Sequence, residues 1–133
     1  MSKRALIVDD SSTMRLMLRR LLEKNGFTVA GVGVNGLDAV KLYQELKPDF
    51  VTLDMIMPRQ NGLETLKQLK QIDPNATVIM ISSLSAKDRL TECAASGAKD
   101  YILKPFNEEN VMTVLRKVLG ESNRLSGPIV KAG

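Results

Sequence analysis

Phe50-Val-Thr-Leu-Asp54-Met-Ile-Met-Pro58 is a short, mostly apolar run that ends on an aspartate and breaks at a proline. A run this short, without polar alternation, predicts a strand covered on both faces, as in a parallel sheet flanked by helices. Outward from it the same signature recurs at Ala5–Val8, Phe27–Val32, Thr77–Ile81 and Tyr101–Leu103. Helix-period segments separate the runs. Ser12–Lys24 carries Met14, Met17, Leu18, Leu21 and Leu22 at helical spacing, with Asn25-Gly26 as its stop. Asn35–Leu46 ends before Pro48, and Gly62–Ile72 before Asp73-Pro74. Ser85 and Asp88 resemble a capping box opening a helix that stops at Gly97. Asn107, Glu108 and Glu109 open a last helix that Gly120 closes, the acidic residues suiting its N-terminal dipole. The pattern predicts an α/β fold, a (βα)5 doubly wound five-stranded parallel sheet with right-handed crossovers.

The bulk properties narrow the function classes. At 133 residues the chain suits one domain. Cys93 is the only cysteine, so no internal disulfide forms and a reducing, cytoplasmic setting is expected. No apolar run is long enough for a signal peptide or membrane insertion. The net charge of +4 comes from scattered basic residues, and aromatic residues are few. A solvated basic surface is therefore expected rather than nucleic-acid binding. Histidine is absent, which removes the usual general base, the usual zinc ligand and any phosphohistidine of the chain's own.

In a doubly wound sheet, ligands bind beyond the carboxyl ends of the strands. Asp9 and Asp10 close the first predicted strand, Asp54 the third and Ser82 the fourth, while Lys104 follows the fifth. Each alone reads as a cap or a loop residue. Together they put three carboxylates, a hydroxyl and an ammonium on one edge. Crowded carboxylates either hold a cation or raise a pKa. Hard oxygen donors without histidine or thiolate suit Mg2+, with Mn2+ as a substitute. A carboxylate facing such an ion can act as a nucleophile and form an acyl phosphate, with Lys104 and Ser82 available to the phosphoryl oxygens.

The segments Leu6-Ile-Val-Asp-Asp10, Asp54-Met-Ile-Met-Pro58, Gly62 and Tyr101-Ile-Leu-Lys104-Pro-Phe106 resemble the receiver domains of two-component response regulators. The resemblance runs from about Arg4 to Gly120. It implies a flavodoxin-like receiver fold with strand order 2-1-3-4-5. It also implies a receiver domain over residues 1–120 and a flexible tail or linker over 121–133. Carried over by position, Asp54 is the phosphoacceptor, and Asp9, Asp10, Asp54 and the Ile56 backbone carbonyl hold the metal. Asp10 is the closer ligand of the aspartate pair. Ser82 and Lys104 contact the phosphoryl group, and the Lys104-Pro105 bond is expected to be cis. Ser82 and Tyr101 form a switch pair in which the ring follows the hydroxyl.

The implied function is a phosphorelay switch rather than an enzyme. A sensor histidine kinase or phosphotransfer protein supplies the phosphate, a phosphatase is a further partner, and a protein target binds the face formed by Ala86–Gly97, Tyr101 and Val111–Leu119. The Ser82/Tyr101 pair and the lack of an output domain after Gly120 favour a stand-alone, chemotaxis-type receiver. The alternative is the receiver portion of a multidomain regulator with a DNA-binding or enzymatic output domain, kept open by a methylesterase-like Ile81-Ser-Ser-Leu84 run. A small phosphatase using the same carboxylates is a weaker third reading. Ile56 and Leu84 are apolar where related receivers often carry polar groups, which predicts slow loss of phosphate. Gly31-Val-Gly33-Val-Asn-Gly36 mimics a dinucleotide-binding fingerprint. It follows the second strand rather than the first, so its glycines are expected to serve packing and helix opening instead.

Overall fold

The computed structural model describes residues 2–57 and 60–120, and the backbone alone at 84, 85 and 87. The expected tail at 121–133 and Pro58 lie outside the described residues. The elements run β1 (Arg4–Val8), α1 (Ser12–Lys24), β2 (Thr28–Gly33), α2 (Gly36–Leu46), β3 (Phe50–Asp54) and α3 (Gly62–Ile72). They continue with β4 (Val78–Ser83), a 3-10 helix (Leu84–Arg89), α4 (Leu90–Ala95), β5 (Asp100–Lys104) and α5 (Glu108–Leu119). The strands form one sheet in the order β2-β1-β3-β4-β5, and every pairing is parallel. This is the doubly wound, flavodoxin-like order expected from the sequence.

Side-chain alternation splits the apolar residues between two layers. Ala5, Ile7, Phe50, Ile79 and Ile81 face α1 and α5, meeting Leu18, Leu22, Val111 and Leu115. Leu6, Val8, Val51, Leu53, Val78 and Met80 face the other way, onto Tyr43 of α2, Leu66 and Leu69 of α3 and Cys93 of α4. Because β1, β3 and β4 are covered on both faces, they read as unbroken apolar runs. The Thr52 hydroxyl is the exception, fully buried without a hydrogen-bond partner.

Four helices are opened by side chains that satisfy the otherwise unpaired first-turn amides. Ser11, Asn35, Asn61 and Asn107 accept from the backbone N–H groups of Met14, Asp38, Glu64 and Asn110. The segment after β4 departs from expectation. In place of one helix opened by Ser85 and ending at Gly97, the chain winds a 3-10 helix and then a six-residue α4 whose N-cap, Arg89, makes no side-chain cap bond. Among the side chains described along it, Ala86 and Cys93 are buried and Leu90 packs half-buried against the core. A 3-10 turn is a common entrance to an α-helix, and no side-chain cap at Arg89 fixes an earlier start for the α-winding. The Ser85 side chain lies outside the described residues.

The dinucleotide-like glycines serve the chain's own packing. A Cβ on Gly31 would stand 2.6 Å from Leu46 Cδ1, and one on Gly33 3.1 Å from Asp38 Cβ. The Asp38 carboxylate already accepts the Val34 N–H at 3.0 Å, so the start of α2 presents an anion where a phosphate would have to sit.

Gly62 holds the loop after β3 against the strand's end. Its N–H donates to the Met55 carbonyl at 2.7 Å. A Cβ there would stand 2.5 Å from the Asp54 carbonyl oxygen and 2.8 Å from Met55 Cα. Backbone cannot rotate away as a flexible side chain can. Gly62→Ala is therefore expected to lower the unfolding free energy by about 2–3 kcal/mol, measured by urea denaturation.

Candidate functional site

Each strand of the sheet's interior ends in, or is followed directly by, a polar side chain at the same edge, because the strands are parallel. Asp54 pairs with Ile81, the residue before Ser82, and Ser83 pairs with Lys104, so the three strands deliver these side chains to one edge. Asp9 follows β1 directly, its N–H bonded to the Gly33 carbonyl at 3.1 Å. At this edge Asp9, Asp10 and Asp54 each offer a carboxylate oxygen, and these oxygens all lie within 4.8 Å of one another.

Lys104 is the cation of the group. The Lys104-Pro105 peptide is cis, as expected. The ammonium stands 3.3 Å from Asp9 Oδ2 and 3.4 Å from Asp54 Oδ1, bridging two buried carboxylates. Asp9 is further held by the Ser11 N–H, which donates to Oδ1 at 2.9 Å. Asp10 differs from both. It is exposed, and its carboxylate makes no hydrogen bond or ion pair among the described residues. It therefore has the most freely available oxygens for a cation.

Ser82 is fully buried, and its hydroxyl donates to the Ser83 carbonyl at 2.9 Å rather than to a carboxylate. Tyr101 is 41% exposed. Tyr101 lines both a cavity of about 160 Å3 beside Met80, Leu90 and Cys93 and a wider groove bordered by Pro105, Glu109, Thr113 and Lys117. The structure thus places Ser82 in the interior at the sheet edge and Tyr101 on the outer surface of β5. Ile56 is exposed beside the site, and its backbone N–H reaches the Asp54 carboxylate. The Leu84 side chain lies outside the described residues. Sequence reasoning assigned no role to that N–H, to the Ser11 N–H or to Arg15, which donates to the Asp9 carbonyl at 2.7 Å. Main-chain contacts leave no mark on residue type. Arg15 gave only the weak signal of a basic residue early in α1.

The donor set suits a divalent cation: among the described residues, three carboxylates lie in reach of one point with no cysteine or histidine in the group, and one of them makes no hydrogen bond or ion pair. Without a cation the cluster is under electrostatic load. Burial, then the Asp9 charge, pushes the Asp54 pKa up to about 6, against the opposing pull of Lys104 and the Ile56 N–H. The unfolded chain releases this proton at lower pH than the folded one. The Asp54 contribution to stability therefore falls as pH rises from about 4 to about 6, and the deficit is complete above that range. In chelator-treated buffer, Asp54→Asn should exceed the wild type in stability by about 2–3 kcal/mol at pH 7.5. The gap should close towards pH 4, as urea unfolding at the two pH values would show.

Comparison with known proteins agrees with this geometry. The response regulator receiver domain family matches residues 5–116. The chemotaxis protein CheY of Thermotoga maritima is 47% identical over 118 residues, covering 89% of this chain and 98% of that protein. A chain of the CheX-CheY-BeF3-Mg2+ complex from Borrelia burgdorferi superposes with a TM-score of 0.85 at 34% identity, over 88% of this chain and 89% of that one. The response regulator domain of Thermotoga maritima CheB matches with a TM-score of 0.82 at 33% identity, over 90% and 98%. With its five-stranded order, its acidic strand ends and its lysine after β5, the chain belongs to the response regulator receiver domain family of two-component signalling.

Proposed function

We propose that this chain is a phosphorylation-dependent switch that takes a phosphoryl group on Asp54 from a sensor histidine kinase or phosphotransfer protein. The observation that carries the reading is the Lys104 ammonium lodged between Asp9 and Asp54 at the open edge of the sheet. Asp9, Asp10 and Asp54, with the Ile56 carbonyl, would hold Mg2+ or Mn2+. Such an ion supplies charge neutralisation for the phosphoryl oxygens. The chain's own residues do the rest. An Asp54 carboxylate oxygen attacks phosphorus, the phosphorus–nitrogen bond of the donor breaks, and the departing imidazole takes up a proton. Lys104 can follow the new phosphoryl oxygens because it already sits 3.4 Å from the attacking carboxylate. In this reading the chain acts as a phosphoacceptor and not as a turnover enzyme.

In the switch, the Ser82 hydroxyl leaves the Ser83 carbonyl for the phosphoryl group, and the exposed Tyr101 ring moves into the space it vacates. That rearrangement changes the α4-β5-α5 face, where a protein target of chemotaxis type binds. A CheX-like phosphatase is a reasonable further partner, given the Borrelia complex. Residues 1–120 form the receiver and 121–133 a tail or linker in this reading. No described helix is long and apolar enough to cross a membrane, and we place the protein in the cytoplasm without a nucleic-acid ligand. The likeness to the receiver of a CheB protein favours one alternative, a receiver that precedes an output domain.

Asp54→Asn is expected to abolish labelling by acetyl phosphate or by a phosphorylated kinase; labelling retained at the same position would overturn the assignment. Phosphate should also leave slowly, because the exposed Ile56 side chain offers attacking water no hydrogen bond. Ile56→Gln is expected to speed loss of the label roughly tenfold, read as its decay after the donor is removed.

A further inference from the structure

The carboxylates at the sheet edge are not held alike. The Asp9 peptide is fixed at both ends: its N–H donates to the Gly33 carbonyl at 3.1 Å, and its own carbonyl accepts from Arg15 Nη1 at 2.7 Å. Its carboxylate is taken by the Ser11 N–H and by Lys104. Asp10 has no such restraint on its side chain. It is exposed, without a hydrogen bond or ion pair among the described residues, yet its carboxylate stays within 4.8 Å of two other carboxylates that repel it. Its position is set by its backbone, since repulsion alone would turn it outward.

That backbone is what Arg15 holds. The Asp9 carbonyl belongs to the planar peptide joining Asp9 to Asp10. Fixing the direction of that oxygen fixes the plane, and with it the point from which the Asp10 side chain departs. Arg15 is half-buried one turn into α1, and Ser11 caps the same turn through the Met14 N–H at 3.2 Å. The guanidinium therefore springs from a rigid element. We infer that Arg15 is a positioning residue for the cation site: it holds the Asp9–Asp10 peptide so that the Asp10 carboxylate faces Asp9 and Asp54. The inference rests on the proposed reading of Asp10 as a cation ligand. Groups that orient a metal ligand typically contribute one to two orders of magnitude in affinity.

The test is Mg2+ titration of the full chain after chelator treatment, by calorimetry, on the wild type, Arg15→Ala, Arg15→Gln, Asp10→Asn and the Arg15→Ala/Asp10→Asn pair. Arg15→Ala should weaken Mg2+ binding about tenfold. Arg15→Gln, neutral but able to donate to the carbonyl, should recover most of that loss. In the Asp10→Asn background, Arg15→Ala should add little, since no carboxylate remains to be aimed. Melting in chelator should shift equally on Arg15→Ala in both backgrounds, which separates helix packing from cation binding. Wild-type affinity in Arg15→Ala, or an equal loss in both backgrounds, overturns the inference while leaving the cation site in place. A wild-type chain that takes up no Mg2+ overturns the site and the inference together.

Discussion

Mutual repulsion among carboxylates gathered at the end of a parallel sheet is the constraint on which this structure turns. Parallel strands in register finish at one edge, so side chains at their last positions meet whether or not their charges agree. Here three aspartates meet, and Lys104 is drawn between two of them at 3.3 and 3.4 Å. Burial and the Asp9 charge together outweigh Lys104, which is why Asp54 holds its proton to a higher pH than a free carboxylate. An edge in this condition favours any added positive charge, and the aspartate that remains unpartnered is the one open to solvent.

The rest of the architecture keeps that edge rigid. Two apolar layers clamp the central strands from both sides. Side-chain caps secure α1, α2, α3 and α5, three of them beginning in the loops that border the site. Gly62 brings the loop after β3 directly onto the strand it leaves, so the Asp54 main chain has backbone packed on it rather than a movable side chain.

Much of this was legible in the residues because burial on both faces leaves a plain signature. Phe50–Leu53 and Ala5–Val8 could be little else than interior strands, and the polar residues that end them marked the edge. The helix after β4 was misread for a physical reason. Ser85 and Asp88 are spaced like a capping box, but the chain enters through a 3-10 turn and the α-winding begins only at Leu90, where no side-chain cap fixes it. The position of Asp54 could be read, but the N–H groups of Ser11 and Ile56 that restrain the carboxylates could not, since every residue but proline carries that group. The glycines of β2 show the reverse case. Their spacing copied a phosphate-binding motif, while their cause was the closeness of Leu46 and Asp38.

The short helix that follows β4 has a mechanical meaning. Its 3-10 entrance forms poorer hydrogen bonds than an α-helix, and its N-cap goes unfilled. It is the compliant part of an otherwise stiff frame, placed between buried Ser82 and the outward Tyr101 ring. A strain passed from the acidic edge along β4 would meet this uncapped turn first.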